Sequence, residues 1–458
     1  MAIAVTNPTT GITEREFTAH DATEVERRLG LAAAAARVLR RETYAQRAEW
    51  MRASADLLEA EAEEVAVMIT REMGKPIAQS RAEALKCVKN MRFYADNAET
   101  FLADEPLDDP SVVGASAAWA RYEPLGVVLA VMPWNYPLWQ VIRFAAPALM
   151  AGNAGVLKHA SNVPESALYL DTLFTRGGFP EGSFTTLLIG AGAVDAIIDD
   201  RRIAAVTLTG SEPAGRAVGA RAGGQVKKAV LELGGSDPFI VLPSADLDAA
   251  VATAVTARIN NNGQSCIAGK RFIVHTDVYD VFAEKFTAAM AALTVGDPMD
   301  ENVQVGPLAN RSGRDELAEL VDDAVAQGAT VLTGGSVPGG AGWFYPPTVV
   351  ADLPDSARLV MEEAFGPVAT LYRAADIDDA IRIANQTTFG LSSAAWTTDA
   401  DEQDYLMREL DAGAVFINGM TISYPELPFG GIKDSGFGRE LAAAGIREFC
   451  NLKTVWKG

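Results

Sequence analysis

The stretch Val127-Val128-Leu129-Ala130-Val131-Met132-Pro133-Trp134-Asn135-Tyr136-Pro137 is an unbroken apolar run that ends at a turn fixed by two prolines. A short apolar run of this kind, followed at 138–150 by a helical pattern, reads as a buried strand and its crossover helix. The grammar then repeats. Strands are predicted at 154–158, 185–189, 205–209 and 229–232, with helices at 164–176, 194–199 and 213–220 between them. Such alternation predicts an α/β fold built on a doubly wound parallel sheet, with ligands at the carboxyl ends of its strands.

Outward from this core, a second alternating series begins after Gly234-Gly235, with strands near 239–242, 271–275, 330–332, 369–372, 393–396 and 415–417. Two α/β halves separated by a cleft follow. Upstream, amphipathic helices are expected over 25–38, 47–73 (stopped by Gly74-Lys75-Pro76) and 78–102. The acidic, proline-containing segment 104–110 breaks that pattern, 111–123 reads as a projecting hairpin, and 334–347 reads as a loop.

The chain has 458 residues, 49% of them hydrophobic and 22% charged, the composition of a globular protein. Its formal charge is 39 − 60 = −21, which disfavours nucleic acid and anionic membrane as partners. Three cysteines form no disulfide framework, the first residues lack the pattern of a signal peptide, and no apolar run approaches the ~20 residues of a membrane span. A cytoplasmic location is expected. The three histidines are far apart, so no metal site is expected.

Cys266 follows Asn260-Asn261-Asn262-Gly263-Gln264-Ser265. A free cysteine is commonly a small buried hydrophobe, and Cys87 and Cys450, in helical or apolar surroundings, keep that reading. The amide-rich neighbours of Cys266 would make a poor apolar pocket but could supply dipoles to a thiolate or an oxyanion, so Cys266 is the candidate nucleophile. Glu232 ends an apolar strand beside Gly234-Gly235, where it is either a desolvated base or a structural hydrogen-bonding group. Asn135, between two prolines, is either an oxyanion donor or the cap of a tight turn.

Taken together, Pro133-Trp134-Asn135, Leu157-Lys158-His159-Ala160-Ser161, Thr209-Gly210-Ser211, Glu232-Leu233-Gly234-Gly235, Gly263-Gln264-Ser265-Cys266, Glu363-Ala364-Phe365-Gly366-Pro367 and Pro428-Phe429-Gly430-Gly431 resemble, in order and spacing, the motifs of the aldehyde dehydrogenase superfamily. The resemblance runs from Asn7 to Trp456. Within the superfamily, 232–238, 262–271 and 418–431 are most similar to bacterial succinate-semialdehyde dehydrogenases that use NADP. Ser236 and Ile259 depart from the commoner family residues at their positions.

The resemblance implies a Rossmann-like cofactor domain (1–109 and 125–234), a catalytic domain (235–434), and oligomerisation elements at 110–124 and 440–458. It implies that Cys266 attacks an aldehyde, that Asn135 holds the oxyanion, and that Glu232 activates the water that hydrolyses the thioester. Cofactor contacts are implied for Trp134, Lys158, Ser161, Gly210, Ser211, Glu363 and Phe365. Because Ser161 stands where NAD-preferring relatives often carry Glu, NADP is expected over NAD. Arg143, with Trp139 and Ser423 or Tyr424, is the expected carboxylate site of the substrate, the other reading of Arg143 being a salt bridge within the protein; Asn260 replaces a second arginine of some relatives. Ala268 replaces a second cysteine of others, so no intramolecular disulfide switch is expected. A homodimer or homotetramer is implied. Other readings are a dehydrogenase for glutaric semialdehyde or for an aliphatic or aromatic aldehyde, a catalytically silent binding protein, and a cysteine hydrolase, which lacks a histidine partner.

Overall fold

The computed structural model describes residues 2–458. Its first sheet has the strand order Gly436–Phe437, Lys228–Glu232, Ile203–Thr209, Val127–Met132, Ala154–His159 and Phe184–Thr186, parallel except for Gly436–Phe437. From Val127–Met132 the chain winds one way to Phe184–Thr186, then crosses back to Ile203–Thr209 on the other side. The switch point therefore lies between the carboxyl ends of Val127–Met132 and Ile203–Thr209, where Asn135 and Gly210-Ser211 emerge.

The second sheet has the order Thr330–Thr333, Thr348–Ala351, Val368–Ala374, Gly269–His275, Asp237–Val241, Ser393–Trp396 and Val415–Ile417, parallel but for the first pair. The chain passes from Lys228–Glu232 into Asp237–Val241 through only Leu233-Gly234-Gly235-Ser236. The amino end of the second sheet therefore meets the carboxyl end of the first. Cys266 accordingly sits just before the amino end of Gly269–His275.

The first sheet shares one apolar core with the amino-terminal helices, through Met51, Leu58, Ile69, Met91 and Leu129 among others. The series read as 47–73 is two helices, Tyr44–Ala60 and Ala62–Met73, because Glu61 leaves helical geometry (φ −97°, ψ 6°). Periodicity across a single-residue break looks continuous in sequence. The strand expected at 185–189 stops at Thr186.

The hairpin expected at 111–123 is corrected. Residues Ala117–Pro124 form one strand, whose long partner is Cys450–Lys457 from the far end of the chain, with Glu105–Pro106 on its other side. A hairpin does occur earlier, Ile3–Asn7 with Ile12–Phe17, where the sequence suggested none.

Candidate active site

The helix Leu247–Ile259 ends in a loop where Asn261 (φ 58°), Asn262 (φ 56°) and Gly263 (φ 74°) are all left-handed. Asparagine tolerates this region better than most residues, and the loop is braced by its side chains. Asn261 Nδ2 donates to the carbonyls of Asn135 (2.7 Å) and Gln264 (2.9 Å). Asn262 Nδ2 donates to those of Gly74 and Pro307, and its Oδ1 accepts from Gly306. Gln264 Oε1 accepts from the Ala309 amide. Of the amides read in sequence as dipoles for a thiolate, those of Asn261, Asn262 and Gln264 are thus committed to holding the loop, while Asn260 lines a cavity. A Cβ on Gly263 would lie 2.4 Å from the Gly366 carbonyl, so glycine is needed for this loop to seat against the Phe365-Gly366-Pro367 turn.

The loop leaves Cys266 partly exposed where two cavities meet. One, of about 280 Å³, is lined by Trp134, Asn135, Gly210, Ser211, Glu363 and Phe365 together with Cys266. The other, of about 160 Å³, is lined by Lys86, Tyr136, Trp139, Arg143, Ser423 and Phe429 together with Cys266. A thiol in this position can touch a small molecule entering from one side and a larger one lying on the other.

Burial pushes the Cys266 thiol up to about 12, against the opposing pull of Arg143 and Lys270. The thiol is therefore protonated at rest near neutral pH. Asn135 Nδ2 donates to the Gln264 carbonyl (3.1 Å), which fixes the amide beside the cysteine loop and leaves its second N–H free.

Glu232 ends its strand at 2% exposure, and neither carboxylate oxygen has a hydrogen-bond partner among the described residues. Burial, then the neighbouring Glu440, raise it well above the ordinary carboxylate range, while Arg143 opposes them. Its side chain lines neither cavity; it lies beside Gly430 in a buried cluster in which Arg143 is ion-paired with Glu440. Cys266, Asn135 and Glu232 are expected to converge; the first two line one cavity, and Glu232 lines neither.

On the larger cavity's wall, Trp134 and Phe365 meet edge to face at 5.7 Å. Gly234 passes so close to Glu363 that a Cβ would lie 2.7 Å from its Oε2. Lys270, not singled out in sequence, is buried and pairs with Glu363 at 2.9 Å while donating to the Ser265 and Cys266 carbonyls, each at 2.9 Å. Ser211 caps the start of the helix Glu212–Gly224 on the same cavity wall.

Lys158 and Ser161 stand further along, at and just beyond the end of Ala154–His159, outside both cavities. Lys158 is 8% exposed, and burial lowers its basicity. It has no carboxylate partner among the described residues.

On the smaller cavity's wall, Arg143 is buried, with its guanidinium 4.5 Å over the Phe429 ring as well as paired with Glu440. Lys86, also missed in sequence, lies 4.1 Å over the Trp139 ring and donates to Ser423 Oγ at 2.8 Å. Its place in the sequence beside the buried face Glu83, Cys87 and Asn90 of Ile77–Phe101 gives no role until Ser423 is seen next to it. Among the described residues no group of three or more His, Cys, Asp or Glu side chains could hold a metal ion, and no helix is long and apolar enough to cross a membrane.

The model of the aldehyde dehydrogenase family matches residues 1–455. A Mycobacterium avium protein named succinate-semialdehyde dehydrogenase, NADP(+), is 64% identical, over 100% of this chain and 97% of its own length. A Mycobacterium tuberculosis protein named succinate-semialdehyde dehydrogenase, NADP(+), 1 is 62% identical over the whole of both. The crystal structure of succinic semialdehyde dehydrogenase from Streptococcus pyogenes in complex with NADP+ superposes with a TM-score of 0.96 at 33% identity, covering 99% of each chain.

Proposed function

Because the chain belongs to the aldehyde dehydrogenase family, we propose that it oxidises succinic semialdehyde to succinate with NADP+, using Cys266 as nucleophile, Asn135 as oxyanion donor and Glu232 as general base. The observation that carries this reading is the position of Cys266 in the shared wall of two cavities, one with the residues suited to a dinucleotide and one with cationic side chains.

The residues present fit NADP. Lys158, a buried cation with no acidic partner among the described residues, and Ser161, a neutral hydroxyl, would hold the 2′-phosphate. Gly210 and Ser211 would hold the pyrophosphate at the helix start, and Glu363, seated against the bare Gly234 backbone by Lys270, the nicotinamide ribose, with Trp134 and Phe365 flanking the ring. When bound, the dinucleotide supplies the hydride acceptor for the reaction.

Attack by Cys266 on the aldehyde carbon forms the S–C bond as the thiol proton passes to water in the cavity, and gives a tetrahedral thiohemiacetal whose oxyanion is placed for the free N–H of Asn135 and the backbone N–H of Cys266. After oxidation of this adduct to the thioester, water must be deprotonated to release the acid. In its buried position burial and then Glu440 raise the Glu232 carboxyl well above the usual carboxylate range, which favours its protonated form. It can serve as base only after its side chain turns toward the cavity and sheds that burden. The substrate's remote carboxylate is placed in the smaller cavity, whose wall includes Arg143, Trp139 and Ser423.

We further infer a homodimer or homotetramer, supported by the outer strand Cys450–Lys457, and a reducing compartment such as the cytoplasm, which suits a reactive free thiol. The test is a single-turnover and steady-state assay with succinic semialdehyde. Cys266→Ser should reduce no NADP+, and Glu232→Gln should give one equivalent of NADPH in a burst and then stall. Undiminished turnover in Glu232→Gln removes the base from this scheme.

A further inference from the structure

Three charged side chains line the smaller cavity beside Cys266, and two are already matched within the protein. Glu83 pairs with Lys75 through one oxygen and accepts the amides of Leu138 (2.8 Å) and Trp139 (2.9 Å) with the other. Arg143 pairs with Glu440. Lys86 has no carboxylate within ion-pair distance among the described residues; its one hydrogen bond is to Ser423 Oγ, at 2.8 Å. Two of its three donors are therefore unused, and because Ser423 accepts from Lys86, the hydroxyl proton of Ser423 is free as well. An ammonium held over an indole face, beside a 4% exposed hydroxyl and at the wall of a cavity, is a cation awaiting an anion.

We propose that Lys86, with the Ser423 hydroxyl, forms the charged anchor for the remote carboxylate of the substrate, while Arg143, held by Glu440, lends its field to the cavity without pairing with the ligand. The proposal rests on the semialdehyde reading above and assigns the residue that makes the site selective for a carboxyaldehyde over a neutral one.

Burial, reinforced by Arg143, lowers Lys86 to about 8. The other groups facing it are Cys87 and Glu83 from its own helix and Lys75; Glu426, on the Ser423 loop, is paired with Lys89. Glu83 and Lys75 compensate each other. The anchor is thus charged below about pH 8 and neutral above it. An arginine at this position would stay charged throughout.

The experiment measures KM for succinic semialdehyde and for butanal, which has the same carbon count and no carboxylate, in wild type, Lys86→Met and Lys86→Arg. Lys86→Met should raise the KM ratio of semialdehyde to butanal at least about tenfold, the weight of one charge-assisted hydrogen bond. Lys86→Arg should keep the ratio within a few-fold of wild type. In wild type the ratio should climb as pH passes through about 8, and in Lys86→Arg it should stay flat. A second readout needs no turnover: succinate should slow iodoacetamide alkylation of Cys266 in wild type and Lys86→Arg, and fail to do so in Lys86→Met. A wild type selective for the semialdehyde, with Lys86→Met showing the same ratio and the same succinate protection, overturns the assignment of Lys86 alone. A wild type that does not prefer the semialdehyde overturns the substrate reading and this anchor with it.

Discussion

At the scale of single residues, the charges beneath the cysteine decide what can be changed. Arg143 and Glu440 are both buried, and Glu232 shares their cluster. Removing the arginine leaves Glu440 in a low-dielectric site without its cationic partner, and Glu232 with only Arg439 to oppose its burial. Breaking one partner of such a pair costs about 3–5 kcal/mol. Arg143→Met should lower stability in urea by that order, and adding Glu440→Gln should restore most of the loss. A double variant no more stable than the single one would show that packing against Phe429, not charge, is what Arg143 supplies. Ser161 offers the complementary case, since a hydroxyl near Lys158 tolerates a 2′-phosphate where a carboxylate would repel it. Ser161→Glu should move the ratio of kcat/KM from NADP+ toward NAD+ by about tenfold or more. An unmoved ratio places the choice of cofactor elsewhere.

At the scale of elements, the strand Ala154–His159 carries a pH dependence into the fold. His159 Nδ1 accepts the Ala160 amide and its Nε2 lies 2.9 Å from the Pro137 carbonyl, so the neutral Nε2–H ring satisfies both neighbours. Burial is the main reason its pKa falls to about 4, with the Lys158 charge acting in the same direction. The unfolded ring titrates near about 6.5. The folded state's preference for a neutral ring is therefore in full force above pH 6.5 and is lost progressively as pH falls from there toward about 4, up to about 3 kcal/mol. Urea midpoints measured at pH 7 and pH 5 should diverge more in wild type than in His159→Gln; equal slopes would assign the acid sensitivity to other groups. Elements such as this strand were legible because an apolar run between turn residues can be little else, and Pro164–Arg176, Ser393–Trp396 and Val415–Ile417 were read to the residue. What sequence could not give were relations across the chain. The partner of Ala117–Pro124 lies more than three hundred residues away, Glu61 breaks a helix without a proline or glycine, and the asparagines near Cys266 reveal their bracing role only once Gly74 and Pro307 are beside them. Likewise Cys266, Asn135 and Glu232 were named from motif and strand ends, whereas Lys86 and Lys270 acquire meaning only from Ser423 and Glu363, hundreds and tens of residues distant.

At the scale of the whole molecule, the three-stranded sheet leaves Cys450–Lys457 as an outer strand, with Leu452 54% and Trp456 55% exposed on one face. An unpaired edge with apolar side chains invites a second chain. Opposing it is the formal charge of −21 on each copy, which makes two copies repel at low salt. These two influences can be separated by one substitution. Leu452 is the better site, because the Trp456 indole is tied to the Val113 carbonyl at 3.1 Å and its loss would disturb the sheet itself. Leu452→Lys removes apolar surface and also reduces the net negative charge. If charge repulsion limits assembly, this variant should associate more tightly than wild type; if burial of the edge drives it, the variant should dissociate at concentrations where wild type does not. The apolar exposure predicts the second result. Sedimentation should show wild type as a dimer or tetramer of the 48.5 kDa chain and Leu452→Lys shifted toward the monomer. A wild type that sediments as a monomer at every concentration would leave this edge without a partner.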